Sequence, residues 1–205
     1  MQNCYSFIDA EEFLSLESKC IDHCPGEMEW NWKLLYKNKR SSTWKKHNNL
    51  ESLLKTKPRS SNIMVKPRSL LPGFDYVLSI EGYQRGASLK GRAEYKFTVN
   101  YSPSNGTCKV NTTTGKALID TFFFSCRDWI DKDGHLPLLY EFSYKDANLD
   151  FERLILSTDY PQALTELPVG DRNNNFSLLI VIKIRDRYGA VTRRTLNLTV
   201  CKNNV

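Results

Sequence analysis

The chain has 205 residues, of which 40% are hydrophobic, 12% aromatic and 25% charged, with a formal net charge of +6. That length suits one large domain or two of about 100 residues, and the aromatic content is too high for a disordered chain. No apolar run approaches the ~20 residues of a membrane helix, the longest being residues 178–182, so collagen, coiled coil, solenoid and membrane-embedded bundle are excluded.

Residues 10–14 are predicted as a short helical stretch. Residues 30–36 (Trp-Asn-Trp-Lys-Leu-Leu-Tyr) alternate apolar and polar over the first five positions and predict a half-buried strand. A second short helix is predicted over 49–55, with Asn49 as its cap. Strands follow at 63–65, 76–80 and 93–99, separated by turn residues at the intervals of an antiparallel sandwich. Beyond the Pro-containing link Asn100-Tyr101-Ser102-Pro103 the pattern repeats, with strands at 117–126 and 138–144. Leu178, Ile180, Ile182 and Ile184 share one face of a long strand. The turn Asp186-Arg187-Tyr188-Gly189 leads to a last strand over 191–200, where Leu196, Leu198 and Val200 face one way. Asn197 faces the other, toward solvent. The reading is all-β: two tandem immunoglobulin-like or fibronectin type III-like β-sandwich domains, residues 1–100 and 101–205.

Charge is unevenly distributed. Residues 1–32 hold seven acids and one base, whereas residues 33–68 hold eleven bases and one acid, Glu51. The net charge therefore belongs to one segment. Lys55, Lys57, Arg59, Lys66 and Arg68 are candidates for an anionic-ligand patch, its partner a sulfated or sialylated glycan or lipid headgroups. The plain alternative is a solvated strand-and-loop face.

Six cysteines, Cys4, Cys20, Cys24, Cys108, Cys126 and Cys201, allow up to three disulfides in 15 connectivities. Zinc is the rival reading for Cys20 and Cys24, with His23 adjacent, but no second spaced pair follows. Five Asn-x-Ser/Thr sequons begin at Asn100, Asn105, Asn111, Asn175 and Asn197. An oxidising, glycosylating compartment accounts for cysteines and sequons together, and sequons argue against a nucleic-acid partner. The start Met-Gln-Asn-Cys lacks the pattern of a signal peptide, so an extracellular sequence of this kind is expected to be a piece of a larger protein.

Two local signatures carry more. In Leu70-Leu71-Pro72-Gly73-Phe74-Asp75-Tyr76, Pro72 presets φ, Gly73 supplies the turn, and Tyr76 can hydrogen-bond the backbone upstream. Leu70, Pro72, Gly73 and Tyr76 thus resemble the tyrosine corner of fibronectin type III domains. The Arg85-Gly86-Ala87 that follows lacks the Asp of an integrin-type motif.

The second signature runs through Gly106-Thr107-Cys108-Lys109-Val110, Gly115-Lys116-Ala117-Leu118, Thr121 to Cys126, Trp129, Asp131 and Pro137 to Phe142. It resembles the receptor-for-egg-jelly (REJ) module of the polycystin-1 family. The stretch after Ala117-Leu118 is one residue longer than that pattern, and Arg127-Asp128 stand where a small residue usually precedes the Trp. Cys20 and Cys24 before Trp30 and Trp32, and glycines from Gly82 to Gly91, also agree with it. The resemblance implies an extracellular module of a polycystin-1-like membrane receptor, contributing to adhesion or ligand sensing. The implied partners are neighbouring ectodomain modules and a polycystin-2-type cation channel subunit. A secreted lectin-like glycan binder using the basic face is the alternative. A disulfide Cys108–Cys126 is expected, bridging adjacent strands near Trp129. Cys20–Cys24 could close a tight loop, with Cys4–Cys24 the competing arrangement and Cys201 left over.

Asp131-Lys132-Asp133-Gly134, with Asp128 nearby, hints at a calcium loop. An EF-hand register fails because it puts Trp129 at position 1 and Tyr140 at position 12. A polar turn is the expected reading, and no cofactor or metal is assigned. The three histidines, His23, His47 and His135, form no catalytic motif, and no enzyme activity is expected.

Overall fold

The computed structural model describes residues 7–21, 28–84, 89–145 and 152–202. The chain is all-β and divides into two compact units, residues 1–101 and 102–205. Among the described residues no helix is long and apolar enough to cross a membrane.

Unit one contains β1 (Phe7–Asp9), β2 (Leu14–Glu17), β3 (Met28–Asn38), β4 (Lys45–Lys46), β5 (Asn62–Val65), β6 (Phe74–Gln84) and β7 (Leu89–Asn100). Five of them form a sheet in the order β1-β7-β6-β3-β4, and β2 pairs with β5 in a second, two-stranded sheet. The pairing is antiparallel except for β1, which runs parallel to β7. Strand alternation decides which side chains meet. Trp32 and Leu34 of β3, Tyr76, Leu78 and Ile80 of β6, and Phe97 and Val99 of β7 share one core with Leu14, Ile63 and Val65 of the small sheet. Each such buried side chain stabilises by about 1.5–3 kcal/mol relative to exposure.

The corner before β6 is built by two hydrogen bonds. The Leu71 N–H donates to the Tyr76 hydroxyl at 2.9 Å, and that hydroxyl donates to the Leu71 carbonyl at 3.4 Å. Gly73 has φ +78, and a Cβ there would lie 2.3 Å from the Tyr101 ring, so only glycine fits. Tyr76 stacks on Phe97 with ring centroids 5.4 Å apart.

Both predicted helices are corrected. Residues 10–13 form a turn and β2 begins at Leu14, because Leu14 and Leu16 pair across the small sheet with Val65 and Ile63. Residues 49–55 contain only the 3₁₀ turn Glu51–Leu53. The Asn49 carboxamide still accepts a hydrogen bond from the Ser52 N–H, at 3.2 Å.

Unit two contains β8 (Thr107–Val110), β9 (Thr114–Lys116), β10 (Thr121–Arg127), β11 (Leu139–Lys145), β12 (Glu152–Thr158), β13 (Gln162–Glu166), β14 (Ser177–Arg185) and β15 (Val191–Cys201). The sheets are β13-β10-β8 and β12-β11-β14-β15-β9. Phe122, Phe124, Phe142, Ile180, Ile182 and Ile184 are fully buried between them. Of the continuous strand predicted over 117–126 only the part from Thr121 is a strand, β10; residues 117–120 are a turn that joins it to β9 in the other sheet. There Leu118 takes φ 58, and the Asp120 carboxylate accepts the Lys116 N–H at 2.7 Å, folding the apolar Ala117-Leu118-Ile119 into a turn.

Candidate functional site

The cysteine pair of unit two is a disulfide. Cys108 on β8 and Cys126 on β10 are direct cross-strand partners with Cα atoms 4.0 Å apart. Trp129 packs in the same core, and a Cβ on Gly106 would lie 2.2 Å from its ring. Cys20 is disulfide-bonded, Cys201 is a free and exposed thiol, and Cys4 and Cys24 lie outside the described residues. So do Arg85-Gly86-Ala87.

The sequons differ sharply in access. Asn105 and Asn175 sit exposed at turns with φ 66 and φ 48, a left-handed conformation that Asn tolerates. Asn197 is exposed on the outward face of β15. Asn111 is exposed, but its carboxamide is engaged: Oδ1 accepts the Phe123 N–H at 2.9 Å and Nδ2 donates to the Thr121 carbonyl at 3.5 Å. Asn100 is only 1% exposed, at the end of β7 beside β1, so the folded unit does not offer it to a glycan.

The basic segment separates into paired and unpaired charges. Lys33 donates to both oxygens of Glu81 across the β3/β6 ladder, at 2.7 and 2.6 Å. Lys37 lies 3.7 Å from Asp75. Arg68 donates to Glu11 at 2.6 Å, which removes it from the expected patch as a free charge. The remaining four gather at one edge. Residues 53–55 pair with β5 through Lys55 N–H to Met64 and Lys66 N–H to Leu53, and a turn follows from Lys57 to Ser60. Lys55, Lys57, Arg59 and Lys66 are exposed there, and no carboxylate pairs with them among the described residues. The Lys55 ammonium lies 4.4 Å from the Phe13 ring centroid.

Asp131 opens the turn between β10 and β11. Its Oδ1 accepts the N–H groups of Asp133 at 2.9 Å and His135 at 3.0 Å. The turn also brings Asp131 and His135 against Asp186, which the sequence marks only as a hairpin residue between β14 and β15. His135 was legible only as one of three histidines. The Asp-x-x-Gly of residues 186–189 signals a turn but not its neighbour. Asp128 and Asp133 are not part of this group.

Comparison with known proteins agrees with the signature. The family model of the REJ domain matches residues 1–205. Polycystin-1-like protein 1 from Mus musculus is 29% identical over 128 residues, covering 62% of this chain and 5% of that protein. The polycystin family receptor for egg jelly from Homo sapiens is 30% identical over 116 residues, covering 51% of this chain and 5% of that protein. The chain thus spans about one twentieth of the length of these relatives. Among solved structures, the FN1–FN3 domains of chicken CNTN1 align with a TM-score of 0.46 at 13% identity, over 97% of this chain and 66% of that one. Domains A168–A170 of titin align with a TM-score of 0.39 at 11% identity, over 96% and 61%. With its whole length matched by the family model and its disulfide on the signature cysteines, the chain belongs to the REJ domain family.

Proposed function

We propose that this chain is an extracellular module of a polycystin-1-like membrane receptor, contributing to adhesion or ligand sensing that is linked to a calcium-permeable cation channel. The observation that carries the reading is the REJ match along all of residues 1–205. The Cys108–Cys126 bond and exposed sequons at Asn105, Asn175 and Asn197 support an oxidising, glycosylating setting. On this reading its partners are neighbouring modules of the parent protein and a polycystin-2-type subunit, and it works as a binding module rather than an enzyme.

Expression behind a secretory leader tests the location. The secreted chain is expected to carry Cys108–Cys126 and glycans at Asn105, Asn175 and Asn197 by peptide mapping. Secretion with both cysteines reduced and all sequons bare overturns the extracellular assignment. Co-precipitation of a membrane-tethered form with a polycystin-2-type subunit tests the channel link, and its failure removes that part of the proposal.

A second reading, a glycan binder, is favoured by the exposed edge of Lys55, Lys57, Arg59 and Lys66. Replacing Lys55, Lys57 and Arg59 by Glu is expected to advance elution from a heparin column. Unchanged retention rejects the patch.

A further inference from the structure

We infer that the loop end of unit two holds a divalent transition-metal ion of the zinc class, bound by Asp131, His135 and Asp186. The three residues come from two separate loops, and their ligand atoms all lie within 4.8 Å of one another. The site is sheltered: the Asp186 side chain is 0% exposed and the His135 side chain 12%.

The two carboxylates are oriented in the same way. Oδ1 of Asp131 accepts two backbone N–H groups of its own loop. Oδ1 of Asp186 accepts those of Tyr188 at 2.9 Å and Ala190 at 3.0 Å. Backbone thus fixes one oxygen of each carboxylate, which is the work outer-shell hydrogen bonds do for metal ligands. The Tyr188 ring packs edge-on against the imidazole with centroids 4.6 Å apart, fixing its plane.

The second observation is the other oxygen of Asp131. Oδ2 is buried and accepts no hydrogen bond. A buried carboxylate oxygen without a partner is costly and marks a site for an ion or ordered water. A divalent cation shared with His135 and Asp186 gives that oxygen its partner. His135 Nδ1 and Asp186 Oδ2 are 3.9 Å apart, too long for a hydrogen bond. Two ligands each about 2.1 Å from one tetrahedral zinc ion stand about 3.4 Å apart, so this pair would close by about half an ångström around the ion. The imidazole decides the class of metal: calcium takes six to eight oxygens, whereas zinc and its neighbours accept nitrogen with carboxylate.

The test is calorimetric titration of Zn²⁺ into the oxidised 205-residue chain, with Cys201→Ser in every sample so that the exposed thiol does not compete. One zinc per chain is expected, bound more tightly than calcium. Asp131→Asn keeps an oxygen for the two loop N–H groups while removing the charge, and is expected to weaken zinc at least about tenfold. His135→Gln is expected to do the same and to abolish the visible absorption band of bound Co²⁺. Near-UV circular dichroism unchanged from the parent shows that each variant is folded. Absence of zinc binding by the parent, affinity unchanged in both folded variants, or calcium bound more tightly than zinc overturns the site.

Discussion

The two units follow the same strand path but are secured by different means. In each, a short strand early in the unit runs parallel to the last (β1 with β7, β9 with β15), and the antiparallel order of the main sheet is equivalent: β7-β6-β3-β4 and β15-β14-β11-β12. The opposing sheet is where they diverge. Among the described residues unit one has β2 and β5 there, and it ties its chain crossing with the Tyr76 hydroxyl. Unit two adds β8, bonds it covalently to β10, and fills the interior with Phe122, Phe124 and Phe142. The corresponding crossing in unit two again runs Leu167-Pro168-Val169-Gly170, but no tyrosine occurs in residues 171–178. There the turn is held by the Asp171 carboxylate on the Asn173 N–H at 2.9 Å, and a Cβ on Gly170 would lie 2.0 Å from the Phe176 carbonyl oxygen. One topology thus tolerates quite different fastenings, because burying both sheet faces fixes the path and the fastening sets only how firmly it is held.

The largest test of this contrast is in the core. Phe142→Ala removes a fully buried ring between the sheets of unit two and is expected to cost about 3–5 kcal/mol. Hydrogen exchange should then rise throughout β10, β11 and β14 while the β3/β6 ladder keeps its protection. Loss of protection in both units would show that they do not unfold separately. Next comes the disulfide. Cys108→Ser with Cys126→Ser opens a link across 18 positions and is expected to destabilise unit two by about 3 kcal/mol, measured by urea unfolding.

The corner of unit one is a smaller effect. Tyr76→Phe keeps the ring on Phe97 but leaves the Leu71 N–H without its acceptor, and a loss of about 1–1.5 kcal/mol is expected by the same measurement. The smallest effect is electrostatic and has a counterpart in each unit. In unit one the Lys33 hydrogen bond, then that from Tyr83, holds the Glu81 carboxyl below its ordinary range. In unit two burial raises Glu152, but hydrogen bonds from Lys183 and Arg193 outweigh it and the net shift is again downward. A carboxylate lowered on folding adds stability above its unfolded pKa, and that contribution is lost as pH falls through the folded value. Glu81→Gln and Glu152→Gln should therefore each flatten the acid limb of stability against pH. The change should be well under 1 kcal/mol for partly exposed pairs, and an unaltered acid limb would remove these pairs from the account.

Much of the fold was legible because it rests on local alternation. Trp32 and Leu34 are buried as the pattern of residues 30–36 requires, and Leu178, Ile180, Ile182 and Ile184 all face the core. The two helix predictions failed for a physical reason. Short apolar segments such as 10–14 carry little propensity of their own, and cross-strand partners at Ile63 and Val65 decide their state. The strand predicted over 117–126 failed because Asp120 turns the chain locally, a preference that hydrophobic periodicity does not register. The basic segment was visible as a charge excess, but the pairing of Lys33, Lys37 and Arg68 depends on which acids the ladder and turns set opposite them.

By itself the sequence determined the all-β class, the corner at Tyr76, the cysteine pair of unit two and the family to which the chain belongs. The first two are carried by side chains whose spacing along the chain already fixes their relation: alternate positions share a strand face, and a Pro-Gly turn sets the tyrosine just beyond it; the cysteine pair and the family are carried by the resemblance to the REJ pattern. Only the tertiary structure decided that Asn100 is buried at the β1/β7 edge while Asn105, Asn175 and Asn197 are exposed. It alone placed Asp186 beside Asp131 and His135. Those contacts join segments distant along the chain, and such proximity arises from how sheets pair and pack, which no local pattern of residues encodes.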